Sequence, residues 1–219
     1  MLIQSEFRHP AATISACEVY TADVAALVGH SLPTAMSYYR ANEVIYAPGD
    51  AAGHLYIVVT GAVRIVRLTQ DGRRQISGFH FAGEVFGFEA GAEHHCYAES
   101  VDGAGVRLLR PATDDGFGPS ALMIALKSLQ RAHDHAVLLG RLSATEKMSA
   151  FLLDLLNRQG SDHLVSLPMQ RNDIADYLGL TFETVSRVLR VLKDRGLIRL
   201  PRVDQIEVLD ADALEDLGE

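Results

Sequence analysis

Glu183, Ser186, Arg187 and Arg190, spaced along one short stretch, are the side chains in this sequence best suited to do chemistry. An arginine guanidinium can donate two parallel hydrogen bonds to guanine, a glutamate can accept from the cytosine amino group, and a serine hydroxyl suits either. The chemistry on offer is the reading of base edges rather than the making of bonds. A helix laid in the major groove presents its N-terminal residues to those edges. The stretch predicts such a helix: Val185, Val188, Leu189 and Leu192 recur at helical period as a buried face, with the polar side chains opposite. Thr181 can cap its N-terminus, with Glu183 and Thr184 in the first turn.

Such a helix needs a support. Just upstream, Ile174, Ala175 and Leu178 share one face of a shorter helix that opens at Arg171. Gly179 and Leu180 make the turn between the two, glycine where positive φ is expected and leucine as a core plug. The pattern is a helix-turn-helix. Thr181, Thr184, Arg190, Arg171 and Lys193 are expected to complete the DNA-contacting set begun by Glu183, Ser186 and Arg187.

The 219-residue chain is 48% hydrophobic and 22% charged, which predicts a soluble chain of one large domain or two ordinary ones. Its net charge of −8 is unfavourable for a DNA ligand, because phosphate neutralisation dominates non-specific affinity. Local distribution resolves the conflict. From Ser186 to Arg202 there are six bases (Arg187, Arg190, Lys193, Arg195, Arg199, Arg202) against the single acid Asp194. From Asp204 to Glu219 there are seven acids and no base. One basic patch on an otherwise repellent surface favours specific over non-specific sites. No apolar run approaches the roughly 18–20 residues needed to span a bilayer, and the first residues lack a signal-peptide pattern. Two cysteines, Cys17 and Cys96, cannot build a disulfide framework. A cytoplasmic location and no membrane partner are expected.

Residues 1–17 read as a loose arm and residues 21–32 as a short helix carrying Val24, Leu27 and Val28. Between residues 38 and 110, runs of Val, Ile, Tyr and Phe alternate with Pro48-Gly49-Asp50, Thr60-Gly61, Gln70-Asp71-Gly72, Ala82-Gly83 and Gly103-Ala104-Gly105. Read as turns, these predict a small antiparallel barrel or jelly roll, with its clearest hairpin joining residues 63–68 to 75–81. Residues 119–142 predict a long helix. On it Leu122, Leu126, Leu129, His133, Ala136 and Gly140 follow a 4-3-4-3-4 spacing, the pattern of a coiled-coil seam. Small Ala136 and Gly140 would let two backbones approach closely; the alternative is that the stripe packs on the chain's own barrel. Residues 143–159 predict a helix capped by Ser143 with Glu146 completing a capping box. A short strand is expected at 164–167, and a two-stranded wing at 197–200 and 205–209. The fold class is α+β: N-terminal arm and β-roll over 1–117, dimerisation helix over 118–142, winged helix-turn-helix over 143–219.

A β-roll, a long dimerising helix and a C-terminal winged helix-turn-helix, in that order, resemble the CRP/FNR family of bacterial transcription regulators, over roughly residues 38–209. Tyr-Leu-Gly-Leu-Thr ahead of Glu183, Ser186 and Arg187 is similar to the FNR/FixK form of the recognition helix, Glu-x-x-Ser-Arg. The resemblance implies a homodimer that binds double-stranded DNA at a palindrome of the type TTGAT-N4-ATCAA. Arg187 would contact guanine, Ser186 a neighbouring thymine, and Glu183 the cytosine-containing side of the pair. It also implies contact with RNA polymerase, for which the loops around 47–53 and 89–93 are candidates. The genes implied are microaerobic, respiratory or nitrogen-fixation genes.

Departures from the family narrow the sensor. FNR holds an iron–sulfur cluster through several N-terminal cysteines and a central one; an ordinary cluster needs four thiolates, and one protomer here has two. Two cysteines from each of two protomers is the remaining arrangement. Cyclic-nucleotide relatives follow Gly-Glu, about ten residues later, with an Arg-Ser whose guanidinium is the main phosphate partner. Gly83-Glu84 is present here, but His95-Cys96 stands in the Arg-Ser position. His94, His95 and Cys96 carry ligands able to bind a metal or haem. On a strand His94 and Cys96 would share a face, and His54, His80 or Glu99 would have to join them. His133 on the seam is a further candidate sensor. The best fit is a FixK-like regulator with no cofactor and no metal; the alternative is gating by haem and nitric oxide, or by another small ligand in the roll. No enzyme is expected: the chain has no Gly-rich phosphate loop, no Gly-x-Ser-x-Gly elbow, and no His-x-His pair within the barrel, His133 and His135 lying beyond it.

Overall fold

The structure, a computed structural model, describes residues 20–69, 71–113, 116–141 and 143–217. The expected N-terminal arm and Cys17 lie outside the described residues. Helix α1 (Ala22–Gly29) begins after Thr21 and buries Val24 and Leu27. Six strands follow: β1 (Met36–Tyr39), β2 (Val44–Tyr46), β3 (Leu55–Leu68), β4 (Arg74–Phe81), β5 (Val85–Phe86) and β6 (Tyr97–Leu109). They form an antiparallel roll of order β1-β6-β3-β4, with β2 beside β6 and β5 beside β3. The expected hairpin is β3–β4, with Val66 opposite Ile76 and Leu68 opposite Arg74.

Two expected turns are not turns. Thr60-Gly61 lies inside β3 and Gly103-Ala104-Gly105 inside β6, and the two long strands run side by side with Gly61 opposite Ala104. Gly61 has φ 77° and Gly103 φ 104°, and a Cβ on Gly61 would collide with the Gly103 carbonyl oxygen. The register shifts on either side of Gly61. Glycine here marks a bulge and a close backbone approach, which bends a long strand pair without ending it.

His94, His95 and Cys96 are not on a strand either. They precede β6 in a loop tied to its neighbour by His94 N–H to Asp50 O and Gly49 N–H to His94 O, both 2.9 Å. The alternating-face expectation therefore does not apply to them. The His94 ring is buried and stacks on Tyr46, centroids 3.6 Å apart, in a cluster with Tyr56 and Phe86.

Helix α2 (Phe117–Arg141) follows the roll. Phe117, Ala121 and buried Ile124 pack it against Val24, Leu27, Val85 and Leu109. Then come α3 (Ala144–Gln159), β7 (Leu164–Ser166), α4 (Arg171–Leu178), α5 (Phe182–Asp194), β8 (Ile198–Arg202), β9 (Gln205–Val208) and α6 (Ala211–Asp216). The Ser143 capping box is formed with Glu146, and Gly160 closes α3 in the left-handed conformation. Met148, Leu152, Leu155, Ile174, Leu178, Val185, Leu192, Ile198 and Leu214 make one core, each large side chain contributing about 1.5–3 kcal/mol by its burial. That core continues into the roll through Ile76, Phe79 and Val101. The wing expected as two strands has three, in the order β7-β9-β8: the strand expected at 164–167 joins it, Val165 opposite Ile206.

Candidate nucleic-acid interface

The helix-turn-helix forms as its residues dictate. Ile174, Ala175 and Leu178 are buried on α4, Gly179 turns the chain at φ 62°, and Leu180 packs on the core. Thr181 is extended and its Oγ1 accepts from the Thr184 N–H at 3.2 Å, capping α5. Thr184 is half-buried, its hydroxyl 3.1 Å from that of Thr181. Val185, Val188, Leu189 and Leu192 all face the core.

On the opposite side Glu183, Arg187 and Arg190 are exposed, as are Lys193 and Arg195 toward the C-terminal end. None of the five makes an ion pair among the described residues. Ser186 departs from its expected place. Each helical residue turns about 100° from the last, so Ser186 falls on the flank of the Val185 face rather than opposite it. It is half-buried, and its Oγ is shielded from solvent with no hydrogen-bond partner. Arg171 is half-buried at the start of α4 and lines a cleft with Phe182, Asn42 and Asp102. The expected basic patch also divides. Arg199 pairs with Glu207 and Arg202 with Asp204, so the two wing arginines are spent on the acidic segment.

All six residues of the expected seam on α2 are exposed. Leu122, Leu126 and Leu129 show 59%, 49% and 67% of their surface, and nothing lies near Gly140. The stripe does not pack on the chain's own roll; Ile124 and Ala121, on another side of the helix, do that.

Sequence reading missed a set of charged residues that tie the roll to the C-terminal unit. Arg64 of β3, 6% exposed, donates from Nη1 to Asp173 of α4 at 3.0 Å, from Nε to Glu99 at 2.8 Å, and from Nη2 to Asn42 at 2.9 Å. Arg74 of β4 donates to Asp173 at 2.5 Å and to Asp176 at 2.7 Å, and Gln75 donates to the Asp176 carbonyl at 2.6 Å. His135 of α2 stacks on Tyr177, centroids 4.0 Å apart, with Nε2 2.8 Å from the Tyr177 carbonyl. Burial pushes the His135 imidazole down and the Tyr177 phenol up to about 12. Nothing local signals these pairs, because the partners lie far apart in the chain, about a hundred residues for the arginine–aspartate bonds.

A second knot surrounds Glu84. Arg158 of α3 donates to both its carboxylate oxygens at 3.0 and 2.7 Å, Arg131 of α2 donates at 3.1 Å, and the Phe81 N–H at 3.0 Å. Burial would raise the Glu84 carboxyl, but the Arg158 guanidinium beside it outweighs that and holds it below the usual range. His80 lies next to it, its Nδ1 without a hydrogen-bond partner, and burial pushes it down to about 4. Both oxygens of Glu84 are thus engaged within the chain. With His95-Cys96 in place of an arginine, the residues present do not fit a cyclic nucleotide phosphate. No three His, Cys, Asp or Glu among the described residues converge as a metal site. Glu89 instead engages His95 at 3.0 Å and lies 3.5 Å from His94, Glu99 is taken by Arg64, and burial pushes the Cys96 thiol up.

Residues 146–217 match the Crp-like helix-turn-helix domain and residues 36–103 the cyclic nucleotide-binding domain. The nitrogen fixation regulation protein FixK of Rhizobium meliloti is 44% identical over 84% of this chain and 88% of its own length. That of Azorhizobium caulinodans is 39% identical over 82% and 77%. The chain belongs to the CRP/FNR family. Among solved structures, FixK2 from Bradyrhizobium japonicum superposes with a TM-score of 0.81 at 38% identity, covering 86% of this regulator and 98% of that chain. The CRP/FNR regulator described here is thus a FixK-like transcription regulator, with a roll on the N-terminal side and a DNA-binding helix-turn-helix on the C-terminal side. No helix among its described residues is long and apolar enough to cross a membrane.

Proposed function

We infer that this regulator works in the cytoplasm as a homodimer, binding a TTGAT-N4-ATCAA-type palindrome without a bound cofactor. The observation that carries the reading is the unpaired charge on α5: Glu183 and Arg187 in the N-terminal half of the helix, and Arg190 just past its middle, stand exposed with no ion pair among the described residues. Arg187 is assigned to guanine, and Glu183 to the cytosine side of the pair. Ser186 reaches a neighbouring thymine after a rotation of its side chain. Thr181, Thr184 and Arg171 support these contacts, and Arg190 and Lys193 face phosphates. The open row of Leu122, Leu126, Leu129, His133, Ala136 and Gly140 supports pairing through α2, since exposed leucines at coiled-coil spacing bury themselves against a second copy. Engagement of Glu84 by Arg158 and Arg131 supports activity without an effector. The target genes are those of microaerobic, respiratory or nitrogen-fixation metabolism, by analogy with relatives named for nitrogen fixation regulation. For RNA polymerase the candidate surface is formed by the loops around 47–53 and 89–93, which Ala51 and Glu93 join in a β-bridge.

The test is a gel-shift titration with purified protein and no added ligand. The intact palindrome is bound with a Kd on the order of 10⁻⁸ M or tighter, the range of specific complexes, and a scrambled one is not. Arg187→Ala loses about 1–3 kcal/mol of discrimination at each half-site while the protein still sediments as a dimer. Equal affinity for intact and scrambled sites, or a monomer in sedimentation, ends the reading. The rival is gating by a small ligand, favoured by a cavity of about 640 Å³ between the roll, α2 and α3, lined by Phe79, His80, Ser128, Arg131, Phe151 and Tyr177. Strict dependence of binding on haem, nitric oxide or a nucleotide would select it, and a Soret band in the purified protein would point to haem.

A further inference from the structure

The grip of the roll on α4 is built like a positioning device. Asp173 is 4% exposed, yet it is a carboxylate on the first helix of the DNA-binding unit, held by two arginines of another layer of the fold. Arg64 spends its Nε and both terminal nitrogens on Glu99, Asp173 and Asn42. Asn42 supplies its amide oxygen from a left-handed backbone at φ 64°, the one non-glycine residue at positive φ among those described. A planar guanidinium with all its edges used fixes direction as well as distance. Because Leu178 and Val185 lie in one core across the Gly179 turn, α4 and α5 move as a unit. Whatever holds α4 against β3 and β4 therefore holds the recognition helix.

The roll in turn carries α2 through Ile124 and Ala121. The path from the dimer seam to α5 runs through Arg64, Arg74 and Asp173 as well as through the covalent α2–α3 junction. We propose that Arg64, Arg74 and Asp173 are positioning residues that set the separation and angle of the two recognition helices, so that the choice of half-site spacing is written into the roll. The proposal rests on the dimer-on-palindrome reading above. Adding or removing one base pair moves a half-site by about 3.4 Å and turns it by roughly 35° about the duplex, which a rigid pair of helices cannot follow and a loosened pair can.

The experiment compares Kd values for duplexes carrying two intact TTGAT half-sites separated by three, four, five or six base pairs, and for a duplex with one half-site. Wild type prefers the four-base-pair spacer by at least about tenfold over three or five. Asp173→Asn and Arg64→Gln bind that spacer several-fold more weakly and discriminate by about threefold or less, with single half-site affinity unchanged. Arg74→Gln, at a partly exposed position that leaves the Arg64–Asp173 bond in place, gives an intermediate loss and serves where the buried variants fail to fold. A purely stabilising role weakens every duplex by one factor; variants that keep the wild-type spacing ratio overturn the proposal alone. Wild type indifferent to the palindrome overturns the DNA reading and this inference with it.

Discussion

The outer face of α5 and the contact between the roll and the C-terminal unit use the same side chains to opposite ends. On α5, Glu183, Arg187, Arg190 and Lys193 stand in solvent with no ion pair among the described residues. At the contact, Arg64, Arg74, Arg158, Glu84 and Asp173 are each bonded to at least two groups, Arg64 and Asp173 buried and the other three half-buried. A free charge keeps its hydration until a phosphate or base edge replaces it, and contributes little to folding. A captured charge has already exchanged water for a partner, so losing that partner leaves it stranded in low dielectric. The two regions therefore divide the work: one face is left open for a ligand, and the other is closed so that this face is held in place.

Substitutions test that division by moving different observables. The largest effect is expected at Glu84→Gln. Arg158 keeps Asp154 but loses its charged partner within the roll, and breaking a buried pair from one side costs about 3–5 kcal/mol, a fall in Tm on the order of 10 °C for a chain of this size. Arg187→Ala on the free face should stay within about 0.5 kcal/mol of wild type in the same melt. Equal Tm changes at the two positions would erase the distinction. Next in size is a pH effect at His80. Its ordinary value near 6.5 falls to about 4 on burial, equivalent to roughly 3 kcal/mol. Between those values the unfolded chain takes up a proton that the folded chain refuses, so stability is full above pH 6.5 and declines as pH falls toward 4. Glu84, with its carboxyl held low, acts in the same direction, its contribution present above about pH 4.5 and lost as pH falls through its lowered value. Urea titrations from pH 7 to 4 should show this slope, and His80→Gln should flatten its upper part.

What the sequence could disclose follows the same line. The α4–α5 pair was legible because what shapes its backbone is local: Gly179 at positive φ, Thr181 as cap, and a valine–leucine stripe at one period. The stripe of Leu122, Leu126 and Leu129 on α2 has a local period too, and its exposure removes the alternative that it packs on the roll. Glycines misled where the reason for them was long-range. Gly61 and Gly103 read as turns because a turn is the commonest local need for such a residue, whereas Gly61 answers to the Gly103 carbonyl of β6 and Gly103 to Tyr38 of β1. The third wing strand, β7, was found but not its pairing with β9, which no periodicity encodes. Nothing local sets Asp173 apart; only the fold reveals that β3 and β4 place Arg64 and Arg74 over it. Ser186 lies about 100° from Val185 around α5, on the flank of the buried stripe, which a division of the helix into one apolar and one polar side does not resolve.

The smallest expected effect separates two kinds of free charge on the same helix. Arg187, assigned above to a base edge, lies in the N-terminal half of α5, while Lys193 lies in its last turn with Arg195 just beyond. A lysine ammonium there is a compact point charge suited to a phosphate, and neutralising one phosphate shifts the slope of log K against log salt by roughly 0.9. Lys193→Gln should therefore weaken intact and scrambled duplexes by the same factor and lower the salt slope by about one for each phosphate it no longer neutralises, twice that where both protomers reach one. Arg187→Ala should do the reverse, collapsing the ratio between intact and scrambled sites with little change in the affinity for scrambled DNA. Should Lys193→Gln change the ratio instead, the reading face of α5 extends further toward its C-terminus than Glu183 and Arg187, the residues assigned to base edges, and the helix must lie deeper along the groove.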